Sequence, residues 1–105
     1  MKIEELKNKT VTVFAFDEVY EATIHLSKYG HGGRPRIDLI LDDGEPLATL
    51  TVNVPEATVQ EDEIIVKTWA ENEGTAKSVM RTGWFEDTGR RVPTGHVEAE
   101  VWRLK

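Results

Sequence analysis

The sequence predicts an α+β domain strongly weighted to β, an antiparallel meander of about six strands with one short helix packed on it. Three observations carry that reading. Period-two alternation recurs in short stretches, as in Tyr20–Lys28, where Tyr20, Ala22, Ile24 and Leu26 interleave with Glu21, Thr23 and His25. Turn residues punctuate those stretches, most plainly Asp42-Asp43-Gly44-Glu45. Helical spacing occurs only around Ala76, Val79 and Met80. A small curled β-barrel is the alternative, because closure would remove the exposed edges of the sheet.

The elements follow in order. Lys2–Lys9 is a short helical turn or an arm. The first strand is Thr10–Phe16, with Val11, Val13 and Ala15 on one face and Phe14 and Phe16 on the other. Asp17-Glu18 is a turn into the second strand, Tyr20–Lys28. Tyr29–Pro35 is glycine-rich and forms a flexible loop. The third strand, Arg36–Leu41, carries Ile37, Leu39 and Leu41. Asp-Gly supplies positive φ cheaply, so a hairpin leads to the fourth strand, Pro46–Val54, with Ala48, Leu50, Val52 and Val54 on one face.

Pro55–Asp62 is a polar connection, and Pro55 has no amide hydrogen to continue a ladder. The fifth strand is Glu63–Trp69. The helix covers Glu73–Arg81, with Asn72 or Thr75 as its cap and Gly83 as its stop. Gly74 weakens that helix. Trp84–Gly95 is read as irregular. Val97–Leu104 closes the chain, with Val97, Ala99 and Val101 opposite Trp102. Trp69 and Trp102, at strand ends, belong to the core or its edge.

The 105 residues fit one domain, and 39% hydrophobic with 30% charged is the balance of a globular chain rather than a disordered one. The chain has no cysteine, which excludes disulfides, thiolate nucleophiles and thiolate metal sites. Its opening residues lack an apolar h-region, and no apolar run approaches the roughly 20 residues of a membrane span. The expected location is therefore the cytoplasm, and the sequon at Asn8-Lys9-Thr10 is read as chance. A net charge of −6 disfavours general nucleic-acid binding and suits a basic partner.

The chemical motifs are weak. Gly30-His31-Gly32-Gly33 resembles a phosphate cradle, but it joins two strands and lacks the lysine and hydroxyl of a P-loop. His25, His31 and His96 have no metal-ligand spacing, so neither a metal nor a cofactor is expected. The carboxylate pairs Asp17-Glu18, Asp42-Asp43 and Glu61-Asp62-Glu63 lie on turns or connections, as solvated residues do. Asp42, Asp43 and Glu45 lack EF-hand spacing.

Met80–His96 is the richest segment. Arg81, Arg90 and Arg91 lie near Trp84 and Phe85, with His96 at the end. Tryptophan and arginine dominate interface hot spots, so these residues are the candidate partner-binding set. Arginine beside aromatics also suits a stacked base or a phosphate. The competing structural reading has Trp84 and Phe85 plugging the end of the sheet and the arginines pairing with Glu56–Glu63. Arg34 and Arg36 extend a basic surface only if the glycine loop folds towards the late arginines.

Asp43–Val54, Val66–Glu73 and Phe85–Gly95 together resemble an uncharacterised family of small bacterial proteins, a domain of unknown function. The resemblance covers nearly the whole chain. Its members are common on plasmids, prophages and integrative elements, and it implies no activity or site residue. The company it implies is that of proteins that bind host proteins, including defence nucleases.

Three functions follow as expectations. The first is a non-enzymatic module that binds and modulates a host protein. The second is a nucleic-acid accessory protein using Arg81, Arg90, Arg91 and Trp84. The third is an enzyme or small-ligand binder with a pocket under the glycine loop and His31 or His96 as a proton shuttle. A homodimer is expected through an uncovered edge strand, Thr10–Phe16 or Val97–Leu104.

Overall fold

A computed structural model describes residues 1–105. Four strands, β1 (Thr10–Ala15), β2 (Glu18–Lys28), β3 (Pro35–Leu41) and β4 (Pro46–Thr49), form an antiparallel sheet in the order β1-β2-β3-β4. Three more, β5 (Glu63–Val66), β6 (Phe85–Thr94) and β7 (Val97–Leu104), form a second antiparallel sheet in the order β5-β7-β6. The single helix α1 (Glu73–Met80) packs on β1. Short 3-10 turns at Ile3–Leu6 and Ala70–Asn72 precede β1 and α1. The strongly β-weighted α+β class holds, and the sheet does not close into a barrel.

The meander arises from alternation. Val11, Val13 and Ala15 point inward from β1 while Thr10, Thr12 and Phe14 face out. Ala22 and Ile24 on β2, and Ile37 and Leu39 on β3, continue the same buried face. These residues meet Leu50 just after β4, Ile64, Val66, Phe85, Trp102 and Leu104 from the second sheet, and Ala76 and Val79 from α1, in one core.

The segment expected as one strand over Pro46–Val54 changes partner halfway. Its first half pairs with β3, with a register shift between Leu39 and Ile40. Leu50 N–H still donates to Ile37 O at 2.9 Å, but Thr51 bridges Val66 and Val52 N–H donates to Ile65 O at 3.1 Å. This crossover is the joint between the sheets.

Two further expectations are corrected. Phe85–Thr94, expected to be irregular, is β6. It was hidden because Glu86, Asp87, Gly89, Arg90, Arg91 and Pro93 show no apolar alternation. An edge strand tolerates that composition, and β6 is the free edge of its sheet, broken between Asp87 and Arg91. Second, Val97–Leu104 is not an uncovered edge, because β7 lies between β5 and β6. The other expected edge, β1, is an edge of the first sheet, and α1 packs on it, with Phe14 N–H donating to Ser78 Oγ at 2.9 Å.

Gly74 has a packing reason. A Cβ at this position would stand 2.5 Å from the Phe14 carbonyl oxygen, so only glycine lets α1 approach β1 this closely. Ser78 completes the joint by donating to Gly74 O at 2.9 Å. Alanine would gain about 1 kcal/mol in helix propensity. It would also force the backbones apart, at a cost of about 1–3 kcal/mol. Gly74→Ala is expected to lower the urea midpoint; a raised midpoint would show that the contact relaxes freely.

Candidate functional site

The segment Met80–His96 does not assemble into one surface. Phe85 is 1% exposed, with its ring centroid 5.8 Å from that of Trp102, so it is a core residue and not a partner contact. Trp84 is half-buried, with Lys9 Nζ 5.9 Å from its ring centroid. Arg81 leaves the group, its guanidinium lying 6.0 Å from the Phe14 ring centroid. His96 is exposed in the turn between β6 and β7.

Arg90 and Arg91 are both neutralised. Arg90 donates to Glu63 Oε2, and Arg103 reaches the same oxygen at 3.0 Å. The Glu63 side chain has no exposed surface. Burial alone would push its carboxyl up. The arginine hydrogen bonds, the Gln60 N–H and the charge of Arg90 outweigh burial and hold it below the ordinary carboxylate range. Arg91 grips Asp87 with two bonds of 3.0 Å, and Glu100 lies 3.8 Å away. That grip, with a smaller contribution from the Gly89 N–H, keeps Asp87 low against the pull of burial. The pairing of Arg90 with Glu63 is the one that the competing structural reading expected.

The other sequence motifs are also structural. The glycine loop is tied down where Tyr29 N–H donates to Arg34 O at 2.9 Å and Asn53 Nδ2 to His31 O at 3.0 Å. Arg34 turns away to the carbonyls of Val54 and Ala57, and Arg36 pairs with Asp38 at 3.0 Å. His25 sits on β2 opposite Asp38 and His31 in the loop, so with His96 the three histidines occupy separate elements. No three His, Asp or Glu side chains gather in a metal-holding group.

The feature that stands out is the β1–β2 turn. Phe14, Phe16 and Val19 are 52%, 59% and 60% exposed. Phe14 and Val19 are cross-strand partners, and Phe16 sits at the tip beside them. The turn residues are Phe16 and Asp17, with φ of 55° and 61°. Such left-handed two-residue turns are normally built from Asn and Gly, and an aromatic there is strained. Strain kept together with exposed apolar surface points to a working surface.

A cleft of about 310 Å³ lies between this turn and the start of α1, walled by Phe16, Ala70, Glu71, Glu73, Gly74 and Lys77. Ala70 is also left-handed, at φ 54°. The placement of Phe14 and Phe16 opposite the buried face of the first strand was the signal for this surface in the sequence. With the turn expected at Asp17-Glu18, Phe16 read as a strand residue. Family models, curated proteins and solved structures give no match to this chain.

Proposed function

We propose that the protein is a stoichiometric, non-enzymatic protein-binding module whose contact surface is the β1–β2 turn. The carrying observation is the exposed trio Phe14, Phe16 and Val19 on a strained turn. Exposed apolar side chains in a contiguous group mark interaction sites, and aromatics supply contact area at small entropy cost. The late arginines contribute less to this reading because carboxylates already hold Arg90 and Arg91. The same pairing removes much of the free charge that the nucleic-acid reading needs. The resemblance to proteins of mobile elements favours a host protein, including a defence factor, as the partner class, and the proposed place is the cytoplasm.

The test uses a photo-crosslinking benzoylphenylalanine at position 16, with position 97 as the control, in lysate of the host. Position 16 is expected to capture a protein in fixed stoichiometry, and position 97 is not. With the crosslinker moved to exposed position 19, Phe16→Asn/Asp17→Gly, which installs the preferred turn residues, is expected to abolish capture while raising stability by about 1 kcal/mol. Capture that survives this variant, or that nuclease abolishes, would overturn the reading.

A further inference from the structure

We infer that the cleft beside Phe16 receives an arginine side chain of the protein partner, an inference that rests on the β1–β2 turn being the contact surface. The cleft combines an aromatic wall with carboxylates. Phe16 is more than half exposed and lines the cleft, and an aromatic ring with open surface is available to a cation. Glu71 and Glu73 line the same cleft, both exposed.

The side-chain partner of each of these carboxylates is a lysine. Glu71 meets Lys67, and Glu73 meets Lys77, each at 3.1 Å and four residues away along the chain. Such surface pairs contribute about 0–1 kcal/mol, so an incoming cation displaces them readily. Exposed Asp17 and Glu18 on the adjoining turn add to the acidic collar, so carboxylates outnumber the local lysines. The chain as a whole carries a net charge of −6. A cationic occupant is favoured and an anionic one is repelled.

Arginine fits this pairing better than lysine. Its guanidinium is planar, stacks on aromatic faces and bonds a carboxylate through two N–H groups, whereas an ammonium does so as a point charge. The protein uses the same chemistry internally: Arg81 lies over Phe14, Arg36 over Tyr29, and Arg91 forks onto Asp87. Two left-handed non-glycine residues line the cleft, Phe16 from the β1–β2 turn and Ala70 from the 3-10 turn before α1. The close approach of Gly74 to the Phe14 carbonyl oxygen holds those two turns in place, so the cleft exists before the partner arrives.

The test titrates the isotope-labelled full chain with N-acetyl-arginine methylamide and follows the amides by NMR. Saturable shifts are expected at Phe16, Ala70 and Gly74. Binding of the lysine counterpart is expected to be about tenfold weaker, and citrulline, the neutral counterpart, is expected to give no shift. Glu71→Gln/Glu73→Gln, both at exposed positions, is expected to abolish the arginine shifts while leaving the remaining spectrum unchanged. Equal shifts with citrulline or lysine, shifts centred elsewhere, or no saturable shift would each overturn the inference. Crosslinking from position 16 reports separately. Protein capture with no arginine response leaves the contact surface standing and removes only the arginine seat.

Discussion

Replacing Arg90 and Arg103 together with methionine lowers the unfolding free energy by about 3–5 kcal/mol at neutral pH, because it strands a buried carboxylate. The Glu63 side chain has no exposed surface, and its charge is tolerated through these guanidiniums and the Gln60 N–H. A loss of that size is a large fraction of the 5–15 kcal/mol, roughly, that a domain of this kind possesses. The contact also ties the three strands of the second sheet together, with Glu63 on β5, Arg90 on β6 and Arg103 on β7.

The pH dependence gives the effect its signature. In the native chain the Glu63 carboxyl is held below its ordinary value of 4.5. Its contribution is therefore complete above that value and is lost as pH falls through the lowered one. In the double variant, burial acts with little opposition and pushes the carboxyl up. The variant is then increasingly destabilised as pH rises past the ordinary value. Urea unfolding at pH 7 and pH 4 should show a wide gap between the two proteins at pH 7 and a narrow one at pH 4. A gap of the same width at both would mean that the arginines act through packing alone.

Phe85→Ala is expected to cost about 3–5 kcal/mol, the range for emptying a buried aromatic site. The ring is 1% exposed, tilted 48° against Trp102, and lies at the first residue of β6 opposite Leu104. Phe16→Ala is expected to change stability by no more than about 0.5 kcal/mol, because that ring is mostly in water. Thermal unfolding of the two variants makes the comparison directly. A near-neutral Phe85→Ala would return Phe85 to the partner-contact set. A large loss at Phe16 would show the turn to be structural.

These two phenylalanines also mark the limit of reading from sequence. Phe85 was a candidate contact because Trp84 and the arginines surround it along the chain. Phe14 and Phe16 were only the second face of a strand. Residue type and local spacing do not separate a core aromatic from an exposed one when the covering element is distant in sequence. Phe85 is covered by Trp102, and Phe14 has only Arg81 over its ring.

The arginines repeat the lesson, since the carboxylate that neutralises Arg90 is Glu63, 27 residues earlier. β6 was missed for a related reason. A strand with solvent along its free edge and charged residues on its surface carries no apolar alternation, and its only sign is the partner strand beside it.

The sequence by itself determined the β-weighted class, the buried faces of β1, β2 and β3, the Asp42–Glu45 turn and the position of α1. Each is written in contacts between near neighbours, whose period and turn chemistry depend on few residues. Tertiary structure alone decided where the fourth expected strand changes sheets and that β7 is central. It also decided which arginines are spent on carboxylates and which aromatics remain outside. Those outcomes depend on pairings between residues far apart in the chain, where burial and charge are settled by what the other sheet brings.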